Sequence, residues 1–257
     1  MKNRHILPLA AIMLVVGIVT FGVIFLIPWL PTEASAEAVR TNQLIWFETI
    51  ISGVIFTIVC SFVVYSAWAF RAKEGDESDG PPSHGNTKLE IVWTAIPVIL
   101  IAAVAGWSVV VVNRNETAQK VQDVVHVKAW QYAWEFDYPS LGISSGDLHV
   151  PEGTQVKVNI NSFDVIHGFW VPQFALQMDA VPGITTHLLF TPNKVGTWYV
   201  ICNELCGEGH AQMRARIIIQ TPADYAAWAA QAQAQAKAAA ASSSTPPASP
   251  STPAAAH

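Results

Sequence analysis

Three long apolar runs near the N-terminus constrain the fold of this chain more than any other feature of its sequence. They cover residues 6–30, 43–70 and 89–113 of a chain of 257 residues. A helix needs about 20 consecutive apolar residues to cross the hydrocarbon core of a bilayer, and each run is long enough. Glu48 and Glu90 lie near the ends of the second and third runs, where an acid can reach water or headgroups. The sequence therefore predicts a chain anchored in a lipid bilayer by N-terminal transmembrane helices.

The first run has two interpretations. Its basic start, Lys2 and Arg4, and the sequence ASA at 34–36 resemble a signal peptide and its cleavage site. The apolar core of a signal peptide usually spans about 7–15 residues, so the length of this run favours a retained helix. We expect residues 1–42 to form an N-terminal hydrophobic segment, either an extra transmembrane helix or a signal peptide, with an outer loop. Residues 43–113 are then a transmembrane helical hairpin.

The distribution of basic residues predicts the orientation, because cytoplasmic loops retain an excess of positive charge. The basic residues expected inside are Lys2, Arg4, Arg71, Lys73 and Lys88, and those expected outside are Arg40, Arg114 and Lys120. The chain after Asn113 is therefore expected on the extracytoplasmic side of a bacterial plasma membrane, where two neighbouring thiols either form a disulfide or bind a metal. The formal net charge of −5 argues against nucleic acid as a partner.

Beyond residue 113 the long apolar runs give way to short segments that are rich in β-branched and aromatic residues. Gly, Pro, Asn or Ser separates them, a pattern typical of a β-sandwich or barrel. The predicted strands cover residues 124–130, 132–138, 154–160, 186–190, 197–203 and 214–220. We expect one all-β domain over residues 114–220. Residues 221–257 are expected to form a short helix and a disordered Ala/Ser/Pro tail.

The stretch CNELCGEGHAQM at residues 202–213 holds two of the three cysteines of the chain, beside a histidine and a methionine. Thiolate, imidazole and thioether are soft or borderline ligands that together favour copper. Two thiolates this close can each bridge two metal ions, and His210 supplies one terminal imidazole. The segment DVIHGFWVP at 164–172 offers His167 as the second, from another loop at the same end of the sandwich.

Met213 fits a weak axial ligand on one copper, and the backbone carbonyl of Glu204 fits the same position on the other. The predicted copper ligands are His167, Cys202, Glu204, Cys206, His210 and Met213. Other interpretations remain open at this point. A disulfide between the two cysteines would leave His210 and Met213 unexplained. Zinc accepts two cysteines and two histidines but has little use for a thioether, and His167 by itself fits an ordinary loop histidine.

The stretch at 202–213 resembles the dinuclear copper loop of cytochrome c oxidase subunit II, C-x-E-x-C-x₃-H-x₂-M, with every ligand position filled. Three more segments resemble the same family: NTKLEIVWTAIPVIL at 86–100, AWQYAWEFDYP at 129–139 and DVIHGFWVPQFALQMDAVPG at 164–183. The resemblance covers residues 43–230 and leaves the first apolar run as an addition. It implies a membrane-anchored all-β chain, in which transmembrane helices precede a cupredoxin-like β-sandwich.

The resemblance also implies a function. The chain would accept electrons from a cytochrome c at a dinuclear copper centre and pass them to haem in subunit I. There oxygen is reduced to water and protons are translocated across the membrane. The expected partners are subunit I, other oxidase subunits, cytochrome c and the lipid bilayer. Acidic side chains near the copper loops are expected to attract a basic face of cytochrome c; these are Asp137, Asp164 and Glu208.

Several further roles are implied by the resemblance. The side chain of Glu204 would reach a magnesium or manganese site at the interface with subunit I, close to Asp179, and Glu90 would lie at the mouth of a proton path. The tryptophan that receives the electron in mitochondrial members aligns with Tyr132, whereas Trp134 keeps its aromatic position. Simpler interpretations are a solvated loop acid for Glu204 and a helix-capping acid for Glu90.

Three other functions are compatible with parts of this pattern. A quinol oxidase subunit II has the same fold but lacks the cysteine pair. A membrane-tethered copper carrier needs open, exchangeable ligation, whereas this ligand set encloses the metal from two loops. A copper-containing electron-transfer subunit of a nitric oxide reductase remains an alternative, because the choice between O₂ and NO is made in the partner subunit.

Overall fold

The computed structural model describes residues 4–72, 74–75, 82, 84–118 and 121–243. The predicted tail after residue 243, part of the polar connector at 71–88, and Lys2, Lys73 and Lys120 lie outside these residues. The chain divides into two compact units. One contains residues 1–32 and 39–115, and the other contains residues 33–38 and 116–257.

The three apolar runs form helices α1 (Ile6–Leu26), α2 (Ala36–Ala69) and α3 (Thr87–Glu116). In the described part of the chain, these three helices are long and apolar enough to cross a membrane. Few of their apolar side chains are buried within the chain, as expected for helices that face lipid or partner subunits. α2 begins before residue 43 because polar residues extend its backbone hydrogen bonding beyond the apolar run. The predicted transmembrane helices are thus confirmed by length and composition.

The second unit is a β-domain followed by a helix. Its strands are β1 (Val121–Trp130), β2 (Ala133–Tyr138), β3 (Ile143–Ser145), β4 (Leu148–Pro151), β5 (Gln155–Ser162), β6 (His167–Val171), β7 (Leu176–Ala180), β8 (Thr186–Phe190), β9 (Gly196–Cys202) and β10 (Arg214–Gln220). Helix α4 (Pro222–Ser243) follows β10. Alternating burial along β2, β5 and β10 shows one face of each strand turned to the core.

The strands form two five-stranded sheets, in the orders β3-β2-β1-β5-β8 and β4-β10-β9-β6-β7. The pairs β1–β5 and β4–β10 are parallel, and the other pairs are antiparallel. Apolar side chains from both sheets make one buried core, in which Phe136, Ile160, Phe169 and Ile217 are almost fully excluded from solvent. The predicted fold class, N-terminal membrane helices followed by an all-β sandwich, is therefore confirmed.

Four strands were not among those predicted: β3, β4, β6 and β7. The segment carrying His167 was predicted as a loop, but His167 is the first residue of β6. The pattern was missed because β6 is buried at most of its positions, so it lacks the alternation of a half-exposed strand. The correction matters for the site, because a strand holds a side chain more rigidly than a loop does.

Residues 33–38 were predicted as part of an outer loop, yet they pack as part of the β-domain. The N–H of Ala34 donates to the carbonyl of Gln173 at 2.9 Å, and the N–H of Asn193 donates to the carbonyl of Ala34 at 3.1 Å. The side chain of Ala34 is fully buried in the β-domain core. Glu37 is 1% exposed and accepts a hydrogen bond from the N–H of Thr191. The β-domain therefore includes a short segment that runs from the connection after α1 into the first residues of α2.

Candidate metal centre

Three adjacent strands bring the predicted ligands to one end of the β-domain. Strand β9 lies between β10 and β6, and Cys202 is its last residue. The N–H of Cys202 donates to the carbonyl of Met213 at 3.1 Å, while Cys202 is in register with Phe169 of β6. The chain then loops from Cys202 to Met213 and enters β10. Strand pairing therefore places segments that are distant in sequence beside one another.

The two cysteine sulfurs lie at the centre of a compact group of donor atoms. The Sγ atoms of Cys202 and Cys206 are 3.8 Å apart, and both thiols are free. His210 Nδ1 lies 3.6 Å from Cys206 Sγ, and Met213 Sδ lies 3.9 Å from the same sulfur. Around the other sulfur, His167 Nδ1 is 3.9 Å and the carbonyl oxygen of Glu204 is 3.2 Å from Cys202 Sγ. The structure thus brings all six predicted ligand groups together.

His167 is completely buried, and a carboxylate fixes the orientation of its ring. Its Nε2 lies 2.8 Å from Asp164 Oδ1. An ionised carboxylate can only accept, so Nε2 must carry the proton and Nδ1 keeps its lone pair toward Cys202. Partial burial by itself would raise the pKa of Asp164. The hydrogen bonds from His167 and from the N–H groups of Gln131 and Val165 outweigh it and lower that pKa to about 2.

Both thiols are buried, and for Cys206 this affects the pKa. Burial and the neighbouring Cys202 thiol raise the pKa of Cys206 to about 11. At neutral pH the thiol of Cys206 therefore stays protonated until a metal ion displaces its proton. His167, Cys202 and Cys206 offer ligand atoms that all lie within 4.8 Å of one another, which is the arrangement of a metal-binding group.

The aromatic residues singled out from the sequence occupy different positions around this group. Trp134 is buried, and its ring meets the ring of His167 edge-on at a centroid distance of 6.2 Å. Tyr132 is 39% exposed, and its ring lies against the backbone of Gly207 and Gly209. A Cβ atom at Gly209 would come within 2.4 Å of this ring, so the close approach requires glycine. Tyr132 is thus a partly exposed aromatic side chain in contact with the cysteine loop.

Sequence reasoning missed Gln131. Its Nε2 donates to the carbonyl of Cys206 at 2.5 Å, and its backbone N–H donates to Asp164 Oδ2 at 2.7 Å. No sequence motif marks this residue, since a glutamine in a turn between two strands usually points into solvent. Its contacts depend on the distance between two loops that only the folded chain defines.

The acidic residues of the sequence analysis lie in several environments. Glu204 and Asp179 are both exposed, and both lie near Gly168: Asp179 pairs with it across β6 and β7, and Asn203 donates its N–H to the Gly168 carbonyl. Glu90 is in the first turn of α3, far along the chain from the ligands. It lines a shallow groove on that helix, together with Thr87, Ile91, Thr94, Ala95 and Val98. Its roles in proton uptake and capping stay predictions.

Two of the three acids expected to attract a cytochrome c are engaged within the domain. Asp137 forms an ion pair with Lys128 and accepts a hydrogen bond from Ser144, and these contacts outweigh partial burial to lower its pKa. Asp164 is bound to His167 and two backbone N–H groups. Glu208 is exposed beside the cysteine loop.

Comparison with known proteins decides the family. Residues 28–111 match the profile described as cytochrome c oxidase subunit II, transmembrane domain, and residues 144–221 match the profile for its periplasmic domain. The cytochrome c oxidase subunit 2 of Thermostichus vulcanus is 34% identical in an alignment that covers 79% of this chain and 78% of the relative.

The chain belongs to the cytochrome c oxidase subunit 2 family.

Other members of the family are similarly close. The alternative cytochrome c oxidase subunit 2 of Bradyrhizobium diazoefficiens is 33% identical in an alignment that covers 79% of this chain and 84% of the relative. Among solved structures, the periplasmic domain of subunit II of cytochrome oxidase from Bradyrhizobium japonicum is 26% identical, with a TM-score of 0.44. That match covers 46% of this chain and 99% of the solved domain.

The comparisons confirm the predicted family and enzyme class, a subunit of a cytochrome c oxidase. The matched profiles and the spanning helices describe a membrane-anchored chain with an extracytoplasmic domain. The subunit 2 family and the cysteine–histidine group are together consistent with copper.

Proposed function

We propose that this chain accepts single electrons from a cytochrome c at a dinuclear copper centre and passes them to haem in subunit I. The electrons then reduce oxygen to water in a reaction coupled to proton translocation. One observation carries the proposal: four further donor groups surround two free thiols whose sulfurs are 3.8 Å apart. Each sulfur has its own imidazole nitrogen, from His167 for Cys202 and from His210 for Cys206.

The chemistry of these donors fits two copper ions. Two thiols, two imidazoles and a thioether form a soft ligand set, which favours copper over magnesium or calcium. A structural zinc ion would be saturated by two cysteines and two histidines, which would leave the buried Met213 sulfur without a role. His167, Cys202, Cys206, His210 and Met213 would hold the metals through their side chains, and Glu204 through its carbonyl. Copper held by these residues would supply one-electron transfer with little change in bond lengths.

The protein contributes rigidity and exclusion of water. The ends of β6, β9 and β10 fix the ligand segments, and backbone hydrogen bonds join them at Cys202 and Asn203. Both thiols and the Met213 sulfur are buried, so water has little access to them. Asp164 keeps His167 in the tautomer that leaves Nδ1 free. A site held this firmly is suited to electron transfer, since few nuclei need to move.

The route of the electron is also part of the proposal. Tyr132 is exposed and touches the cysteine loop, which suits it for contact with the donor. Trp134 supports His167 from inside the core. Glu204 has an exposed side chain, which we propose to reach a magnesium or manganese ion at the interface with subunit I. The copper domain would lie outside the plasma membrane of a bacterium, as the basic residues predict.

The test uses the full chain purified in detergent with the subunits that accompany it. Metal analysis is expected to give two coppers per chain, and electron paramagnetic resonance to show one unpaired electron shared by both. A large haem-containing subunit should copurify. One copper per chain, with a signal from a single nucleus, would refute the dinuclear centre. Copurification with an NO-reducing subunit would favour the nitric oxide reductase alternative.

Proton uptake through Glu90 needs a separate experiment. Glu90→Gln keeps the shape of the side chain but removes its titration. The expected result is slower steady-state oxygen reduction with unchanged reduction of copper by cytochrome c in stopped flow. If Glu90 only caps α3, its replacement costs about 0.3–1 kcal/mol of stability and leaves both rates unchanged. Unchanged turnover would therefore remove Glu90 from the proposal.

A further inference from the structure

We propose that Gln131 is a positioning residue that connects the two halves of the ligand group. Gln131 lies in the short turn between β1, which ends at Trp130, and β2, which begins at Ala133. Its side-chain amide holds the backbone of Cys206, and its backbone N–H holds the carboxylate that orients His167. The contacts stand without a metal, whereas their effect on copper rests on the function proposed above.

The first half of the connection is the hydrogen bond to Cys206. Gln131 Nε2 donates to the Cys206 carbonyl at 2.5 Å. This carbonyl belongs to the peptide before Gly207, whose φ of +135° is a conformation that L side chains rarely adopt. A glycine in this position is free to rotate, so the loop needs an external partner to hold the Cys206 peptide. The ring of Tyr132, the next residue, packs on the same loop and keeps the turn close to it.

The second half runs through Asp164. The N–H of Gln131 donates to Asp164 Oδ2 at 2.7 Å, while Asp164 Oδ1 accepts from His167 Nε2 at 2.8 Å. The two carboxylate oxygens therefore have separate partners. The carboxylate of Asp164 connects the ring of His167 to the backbone of the turn at Gln131. One residue thus fixes the position of a thiol and an imidazole that come from different parts of the chain.

This arrangement has a consequence for a dinuclear centre. Outer contacts orient the ligands of a metal and tune its properties, so a change in one half of the ligand group should alter how an electron is distributed over two metals. Loss of the Gln131 amide would loosen the Cys206 loop, which also carries His210 and Met213, and would leave Cys202 at the end of β9. The side chain of Gln131 is exposed, so its replacement is not expected to disturb the core. The change would therefore affect one half of the site more than the other.

The experiment compares Gln131→Leu and Gln131→Met with Gln233→Leu in the full chain, purified in detergent. Both Gln131 variants remove the donor, and the methionine variant keeps the length of the side chain. Gln233 is a matched control because its Nε2 donates to the backbone carbonyl of Leu141 at 2.9 Å, far along the chain from the ligands. Loss of one such bond is expected to change a local equilibrium by about threefold to tenfold.

The first measurement is amide hydrogen exchange in the metal-free chain, over the peptide that carries residues 207–213. The N–H groups of His210, Gln212 and Met213 are hydrogen-bonded within this loop, so their exchange reports its opening. We expect exchange about threefold to tenfold faster in both Gln131 variants and unchanged in Gln233→Leu. Unchanged exchange in the Gln131 variants would overturn the proposal, whether or not the chain binds copper.

The second measurement follows the copper-loaded chain. We expect faster release of copper to a chelator in the Gln131 variants, and hyperfine couplings that become unequal between the two nuclei. An unchanged spectrum, even with faster exchange or a lower melting temperature, would make Gln131 a packing residue and overturn its role at the metal. A wild-type chain that binds one copper would instead contradict the proposed function, and the metal-free exchange would still decide the role of Gln131.

Discussion

Two histidines at opposite ends of the β-domain show how the same side chain acquires different uses. His167 of β6 lies beside Cys202 at the end of β9, and His149 of β4 pairs with Ile218 near the end of β10. The Nε2 of His167 is bound to Asp164, which leaves Nδ1 facing a thiol. The ring of His149 stacks on Trp228 of α4 at a centroid distance of 4.0 Å, and its Nδ1 lies 3.0 Å from Gln220 Oε1.

The partners of each ring explain the difference. A carboxylate fixes the tautomer of His167 and makes its free nitrogen a better ligand. At the other end of the β-domain, His149 contacts the amide of Gln220 and stacks on the ring of Trp228. The stacking attaches α4 to the β-domain. Tyr138 and Tyr225 also contact Trp228, so this end is an aromatic anchor for α4. The groups that meet the two ring nitrogens therefore separate the uses of the two histidines: a carboxylate and a thiol meet His167, and an amide oxygen meets His149.

The largest effect is expected from replacing a proposed copper ligand at the end of the β-domain that carries His167. Cys206→Ser removes a thiolate that would bridge both coppers, so the shared-electron signal should be lost. In the proposed centre Met213 would be only a weak ligand, and Met213→Leu keeps a similar volume, at a cost below about 1.5 kcal/mol. This variant should keep two coppers with an altered reduction potential. Copper analysis and paramagnetic resonance measure both outcomes, and equal loss of metal in the two variants would contradict the assigned ligand roles.

The second largest effect is expected at Asp164, the carboxylate that orients His167. In Asp164→Asn the amide can accept from His167, but its NH₂ group then faces the N–H of Gln131, which is also a donor. Loss of a partner of this kind typically lowers metal affinity by about 10- to 100-fold. Competition with a copper chelator measures the copper affinity of the variant. Asp147→Asn is the control, because Asp147 pairs with Arg216 away from the ligands. Similar affinity loss in both variants would refute the specific role of Asp164.

A smaller effect is expected at the aromatic anchor. Trp228→Ala removes the ring that stacks on His149 and meets Tyr138, so α4 should detach from the β-domain. Because Trp228 is only partly buried, the loss of stability is expected to be about 2 kcal/mol, below that of a fully buried tryptophan. Thermal unfolding measures the loss, while the copper signal should not change. An altered copper signal would show that the two ends are coupled.

The smallest effect is a pH dependence of the same anchor. Burial lowers the pKa of His149 below its usual 6.5, although Gln220 and Asp147 oppose the change. The unfolded chain therefore binds the proton more readily than the folded one. Stability is complete above pH 6.5 and is lost as the pH falls through the lower pKa of the folded state. Unfolding measured from pH 7 downward should show this decline, and His149→Gln should flatten it. An equal slope in both chains would assign the decline to other groups.

The sequence predicted much of the fold because two of its signals are local. Apolar runs of sufficient length identify spanning helices, and short β-branched segments identify the strands that were found at β1, β2, β5, β8, β9 and β10. The spacing within residues 202–213 identifies a soft-metal site, because the donors of one loop are neighbours in sequence. Strand β6 and the burial of residues 33–38 escaped prediction, since their environment comes from distant strands.

The sequence by itself determined the membrane helices, the β-rich domain and the chemical identity of the donors. Their arrangement was decided by tertiary structure, because β9 lies between β6 and β10 and so brings His167, Cys202 and Met213 to one end of a sheet. Tertiary structure alone brought Asp164 to the backbone N–H of Gln131, turned the amide of Gln131 toward Cys206, and placed His149 at the other end of the β-domain from His167. The physical reason is that each of these contacts joins residues whose distance is set by strand pairing and packing, which local sequence does not encode.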